Sequence, residues 1–208
     1  YSCQRAKEEI EIKLKAKGLK PHIVPSARFT KEQLDHPQAK MLGCEDDYNV
    51  WEREINEKPD LSGENETLRS SGGHIHLSYK IDGKIPQFPQ NLIEAECVIM
   101  GLDLWIAVAS IFLDPDTERR KLYGKAGAFR PKPYGVEYRV LSNFWTLNPV
   151  LTSWIYDRIE SLFYWLNAHP TPHNWLIENK NLAIEAINEN NKSAAKKVLS
   201  MLKINLPM

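Results

Sequence analysis

An α+β protein is what this sequence predicts, on three observations. Residues 72–78 and 135–140 each alternate polar and apolar side chains with the period of a strand. The run 91–112 carries Leu102, Ile106 and Ala109 at helical spacing, with Leu92, Ile99 and Leu113 extending the apolar surface. After Asn148 and Pro149, nearly everything reads as helix. The expected architecture is a single domain over 1–208: a sheet crossed by one apolar helix, then a helical carboxyl-terminal portion, 149–208.

The elements follow in order. Residues 6–17 form an opening helix stopped by Gly18 and Pro21, and Ile23 with Val24 suits a short strand. Thr30 and Gln33 have capping-box spacing, so a short helix begins there, followed by a turn from Gly43 and Cys44 to Asp47. Residues 52–71 are polar, with Pro59 and Gly63, and read as loop. The first alternating strand follows, then a loop at 82–89 marked by Asp82-Gly83 and two prolines. Asp114, Pro115 and Asp116 end the central helix, and 119–133 is a basic, glycine-containing segment leading into the second strand. Leu151, Trp154, Ile155, Ile159, Leu162, Phe163 and Leu166 mark a long helix. Residues 176–203 read as two terminal helices divided near Asn190 and Asn191.

Composition sets outer bounds. The chain has 208 residues, 42% hydrophobic and 26% charged, which is ordinary for a folded globular protein. Lysine plus arginine and aspartate plus glutamate each total 27, so no global field gathers nucleic acid or an anionic membrane, and neither is an expected partner. Cys3, Cys44 and Cys97 lack metal-ligand spacing and fit reduced thiols in a cytoplasmic compartment. The apolar run 98–113 is interrupted by Asp103 and is shorter than the roughly 20 residues that span a bilayer, so it reads as a buried helix. No signal peptide is visible; the chain opens on Tyr1 rather than methionine, which leaves room for an upstream portion.

In an extended backbone His74, His76 and Ser78 share one face while Ile75 and Leu77 share the other; Glu137 and Arg139 likewise oppose Val136, Tyr138 and Val140. Two imidazoles two strand rises apart, roughly 7 Å, suit a divalent metal, and they equally suit a hydrogen-bonded pair in a polar crevice. Gly72 and Gly73 let another group approach the backbone closely. Lys121, Lys125, Arg130, Lys132 and the glycines among them, set beside one carboxylate, match the surroundings of a metal-bound polyphosphate, or else a solvated basic loop. Asp103, inside an apolar helix, reads as a buried carboxylate paired with an arginine or a backbone amide. Cys44, flanked by Glu45, Asp46 and Asp47, is a poor nucleophile.

Residues 73–78 resemble the G-x-H-x-H-x-S strand, and residues 137–139 the E-x-R strand, of the glutamine synthetase and glutamate-cysteine ligase superfamily. The chain is most similar to the phage-type, type 2 carboxylate-amine ligase family within it, through these motifs, the Gly43-Cys44 turn and the 119–130 loop, up to about Trp145. The resemblance implies a curved antiparallel sheet of the glutamine synthetase-like type with helices packed on its outer face. It further implies an ATP-dependent, amide-forming ligase working through an acyl phosphate with Mg2+ or Mn2+, on small-molecule or peptide carboxylates and amines such as cell-wall precursors. Ring-like homo-oligomers also occur in that superfamily. By this resemblance His74 and Glu137 hold the metal, Arg139 and Arg130 act on the phosphate or acyl phosphate, and His76, Ser78, Arg120 and Lys132 serve the nucleotide.

The pattern departs from the family in one respect. The superfamily carries further acidic ligands on a D-x-E-like segment upstream, and Asp46, Asp47 and the acids between Glu52 and Glu66 match it poorly. This implies that such a segment precedes the sequence. Two other readings stay open: a binding or structural protein retaining the ligase fold, and a metal-dependent hydrolase using the H-x-H pair, for which no third ligand or general-base carboxylate has recognisable spacing.

Overall fold

The computed structural model describes residues 2–40, 46–78 and 92–207; the expected turn at Gly43 and Cys44, the loop 82–89 and the Lys121 side chain lie outside the described residues. Within them the protein is mixed α and β, with two antiparallel sheets that do not close into a barrel. A two-stranded sheet joins β1 (Ser26–Arg28) to β4 (Leu68–Ser70). The main sheet contains β2 (Tyr48–Asn49), β3 (Glu54–Ile55), β5 (Ile75–Ser78), β6 (Ala128–Lys132) and β7 (Gly135–Tyr138), in the order β3-β2-β6-β7-β5.

The expected strand at Ile23 and Val24 falls slightly later, as β1. The first helix, α1 (Ser2–Lys15), starts earlier than its periodicity suggested. Thr30 and Gln33 exchange the two capping-box bonds, yet the segment makes only a turn, and the short helix α2 is at Pro37–Lys40. Inside the stretch read as loop lie β3, β4 and a single 3-10 turn. The basic segment holds α5 (Glu118–Leu122) and β6, a strand concealed by Pro131 and its charged neighbours. Pro131 is paired opposite Val136 on β7.

One long helix crosses the sheet as expected, in three parts: α3 (Leu92–Leu102), a π-helical turn (Asp103–Ala107) and α4 (Val108–Leu113). By length and composition Ala95–Leu113 could span a membrane, but 89% of its apolar window is buried inside the protein. On one side it meets Ile75, Phe129, Val136 and Tyr138 of the sheet. On the other it meets the terminal helices α6 (Pro149–Ala168), α7 (Pro172–Glu178), α8 (Lys180–Asn188) and α9 (Lys192–Met201). Asn148 caps α6 by accepting from Val150 and Leu151 N–H, with Pro149 in the first turn, which is why that start was legible. The tail divides at Asn190-Asn191 as expected, and again at Asn179. At Gly101 an added Cβ would lie 2.4 Å from Leu162 Cδ1, so α3 and α6 approach this closely only because of the glycine.

Asp103 ties the helix to the sheet. Its Oδ2 accepts from Trp51 Nε1 and the Gly127 amide, both at 2.6 Å, and its Oδ1 accepts from the Tyr138 hydroxyl at 2.5 Å. The sequence reading anticipated a backbone amide partner. The other partners are an indole and a phenol rather than an arginine. Burial raises the Asp103 carboxyl to about 7 even though all three donors pull it down. A carboxyl raised in this way binds its proton more tightly folded than unfolded, so its stabilising contribution is complete below 3.8 and is lost as pH rises to about 7. Asp103→Asn removes that loss: the melting temperature of the variant relative to wild type rises steadily over this window. Parallel thermal-melt profiles for the two proteins would contradict the assignment.

Candidate functional site

Register places the polar residues in rows. On β5, β7 and β6, His76, Glu137 and Arg130 are direct cross-strand partners, and Ser78, Gly135 and Lys132 form the next row. Side chains opposite each other in an antiparallel pair share a face, so each row lies on the side away from the central helix. On the other face Ile75, Tyr138 and Phe129 form the matching apolar row. Alternation thus buries the core and builds the polar surface at once.

Beyond Ile75 the pairing slips. Four residues of one strand, from Ile75 back to Gly72, match five of the other, from Tyr138 to Ser142, which is a β-bulge. A Cβ on Gly73 would lie 2.2 Å from the Ser142 carbonyl oxygen, and one on Gly72 would lie 2.2 Å from His74 Nε2. The glycines therefore admit the protein's own groups. Gly73 admits the neighbouring backbone, and Gly72 leaves room for the His74 ring.

His74 and Glu137 converge. His74 Nδ1 is 3.0 Å from Glu137 Oε1. Arg139 Nη1 donates to the same oxygen at 2.5 Å, while Lys132 Nζ and Arg130 Nη1 lie 3.1 Å and 3.4 Å from Oε2. Glu137 is only 4% exposed. Burial would raise its carboxyl, but the Lys132 hydrogen bond and the Arg139 and Arg130 charges outweigh burial and hold it at about 2. Burial, helped by the Arg139 and Arg119 charges, lowers the His74 imidazole to about 4 against the pull of Glu137. At neutral pH the site thus offers an ionised carboxylate and a neutral imidazole whose Nδ1–H donates to it, so an ion at Nδ1 takes the place of that proton.

The other expected residues divide. His76 is exposed, with Nδ1 2.5 Å from the Tyr134 hydroxyl on the β6–β7 turn, and Ser78 is exposed at the strand's end. Arg120 is not brought to the cluster: it is buried, donating to Ser110 Oγ at 2.9 Å and lying 3.8 Å from Asp114. Its neighbour Arg119 is also buried, donating to the Val140 and Arg139 carbonyls at 2.7 and 3.0 Å, so it braces the backbone that carries Arg139. Cys97 is buried in the core.

Sequence reasoning weighed Asp47 only as a poor match to an upstream ligand segment and did not place it beside Arg139. Its Oδ2 accepts from Arg139 Nε at 3.0 Å, and its Oδ1 accepts from Asn56 Nδ2 at 3.0 Å. The available signal was faint: Asp47 precedes Tyr48, whose ring packs near Phe129 on the core side of a strand only two residues long.

Among the described residues no group of three or more His, Cys, Asp or Glu is arranged to hold a metal ion. The pair that does exist fits one binding mode. Two donors at right angles, each about 2.1 Å from an octahedral ion, lie about 3 Å apart, and magnesium commonly takes one or two protein ligands and completes its shell with phosphate and water.

Residues 63–203 match the family described as Phage phiEco32-like COOH.NH2 ligase-type 2. This is well over half the chain, and the protein belongs to that family, a family of carboxylate-amine ligases by its description. The match includes both strand motifs and extends through the carboxyl-terminal helices, past the limit at Trp145 drawn from motifs alone. No curated protein and no solved structure matches the chain.

The Glu137 geometry has a consequence for stability. Its depressed carboxyl stabilises the fold above 4.5, and that contribution is lost as pH falls toward 2. Glu137→Gln leaves three cations facing one another and is expected to cost about 1–3 kcal/mol at neutral pH. In urea unfolding the gap from wild type should narrow below pH 4.5; a gap that stays constant with pH would contradict this.

Proposed function

We propose that the protein is an ATP-dependent carboxylate-amine ligase that forms an amide through an acyl phosphate, on an open sheet of the glutamine synthetase-like type. One observation carries the reading: His74 and Glu137 meet at 3.0 Å inside a group of three cations, Arg130, Lys132 and Arg139. Phosphoryl transfer needs negative charge neutralised along the phosphates and at the attacking carboxylate, and such a cluster supplies it. Mg2+ or Mn2+ held by His74 and Glu137 would supply further charge neutralisation, with neutral imidazole favouring Mn2+.

In this reading a substrate carboxylate attacks the terminal phosphate of ATP beside Arg139, the bond to ADP breaks and ADP departs, and Arg139 stabilises the acyl phosphate. Arg130 and Lys132, on one edge of Glu137, turn to the phosphates when nucleotide binds. His76 and Ser78 lie along the same face, where a nucleotide would extend. Arg120, buried against Ser110, is given no nucleotide contact in this reading. An amine then displaces phosphate from the acyl group. Small-molecule or peptide acids and amines, including cell-wall precursors, are the substrate class, acting in the cytoplasm, and a homo-oligomer fits the superfamily.

A second reading has one observation in its favour. Glu137 is already neutralised by its own cations, as expected of a binding protein that keeps the fold without turnover. Kinetics separate the two. The ligase releases ADP only when both a carboxylate and an amine are present. Glu137→Ala and His74→Ala each lower kcat/KM by about 100-fold or more, and Arg130→Ala raises the KM for ATP by about tenfold. Absence of ADP release across a broad panel of acids and amines would favour the binding protein, and metal-dependent hydrolysis without ATP would favour a hydrolase.

A further inference from the structure

Arg139 occupies the notch that the metal site needs. Its Nη1 lies 2.5 Å from Glu137 Oε1 and 3.5 Å from His74 Nδ1, the two atoms that face each other at 3.0 Å. The protein has therefore placed one of its own cationic nitrogens against both prospective ligands. A divalent ion reaching that pair must displace Nη1, and the guanidinium must go somewhere.

The backbone of Arg139 is not free to follow. Its N–H donates to the Ala128 carbonyl at 2.9 Å, and its own carbonyl is held by Arg119 Nη2 at 3.0 Å. Only the end of the side chain can move. At the opposite edge of the guanidinium, Nε donates to Asp47 Oδ2 at 3.0 Å. Asp47 is itself braced: Asn56 Nδ2 donates to its other oxygen at 3.0 Å, and the Asn56 amide donates to its carbonyl at 2.9 Å. The Asp47 and Arg139 side chains are 18% and 6% exposed, so the bond between them is largely shielded from water.

We infer that Asp47 is a positioning residue for a cation exchange at this site: the Arg139 guanidinium and a divalent ion compete for Glu137, and Asp47 retains the guanidinium at Nε when the ion takes Glu137. Two carboxylates serve one guanidinium, and when one is given to the ion the other remains as its counter-charge. The displaced Nη1 then stays beside the reacting phosphate instead of swinging into solvent. The part played in turnover rests on the ligase reading above. The exchange itself does not, since it concerns binding alone.

A double-mutant cycle on Mn2+ affinity tests this, with free Mn2+ counted by electron paramagnetic resonance and no substrate present. Arg139→Met removes the resident cation and tightens Mn2+ binding several-fold. Asp47→Asn leaves the displaced guanidinium without a partner and weakens binding about tenfold. In the Arg139→Met background Asp47→Asn has almost no further effect, because nothing is left to retain. Equal weakening in both backgrounds would overturn the proposal, since it would make Asp47 a direct ligand; so would failure of wild type and Arg139→Met alike to bind Mn2+. In an active enzyme, Asp47→Asn lowers kcat more than it changes the KM for ATP, and Asp47→Glu recovers part of the loss. Absence of turnover with the Mn2+ cycle intact would remove the ligase reading and leave the exchange standing.

Discussion

A carboxylate held between cations on one face of a sheet is the constraint on which the site depends. Glu137 is nearly buried, yet it is ionised, because Arg139, Lys132 and Arg130 surround it and the His74 ring closes its remaining side. An isolated buried charge is expensive, and here the expense is offset only by geometry that three strands must keep in register. A one-residue slip of β7 would turn Glu137 toward the helix and Tyr138 toward solvent. The site and the core therefore require the same register.

The core face enforces it. Tyr138, one residue from Glu137 and pointing the other way, is bound through its hydroxyl to Asp103, which also holds Trp51 and the Gly127 amide. These contacts join β7, the turn after β2 and the approach to β6 to a single point on the central helix. That point is the first residue of the π-helical turn, where the helix departs from its regular spacing. Beneath the bulge, Arg119 holds the carbonyls of Arg139 and Val140. The cluster on the exposed face is thus fastened from behind at two places.

What the sequence disclosed is what period and capping can disclose. The two alternating strands put His74, His76, Glu137 and Arg139 on the polar face and Ile75, Val136 and Tyr138 in the core; the central helix and the Asn148 cap were equally plain. Strand β6 was not legible, because its alternation is masked by Arg130, Pro131 and Lys132 and proline is depleted in strands. Its side chains were nonetheless anticipated at the site, from their charge. Arg120 came only from the resemblance to the family's basic loop, whereas α5 turns Arg119 and Arg120 inward against carbonyls, Ser110 and Asp114. Asp47 was not connected to Arg139 because a two-residue strand has no measurable period, and its partner lies 92 residues away. The family match begins at residue 63 and so excludes Asp47 as well.

The most direct test is to locate a cation and a nucleotide in the same crystal. With Mn2+ and a non-hydrolysable ATP analogue, anomalous scattering should show one manganese touching His74 Nδ1 and a Glu137 oxygen, with phosphates against Arg130 and Lys132. A nucleotide bound elsewhere, with Glu137 still enclosed by its three cations and no manganese beside it, would contradict the account.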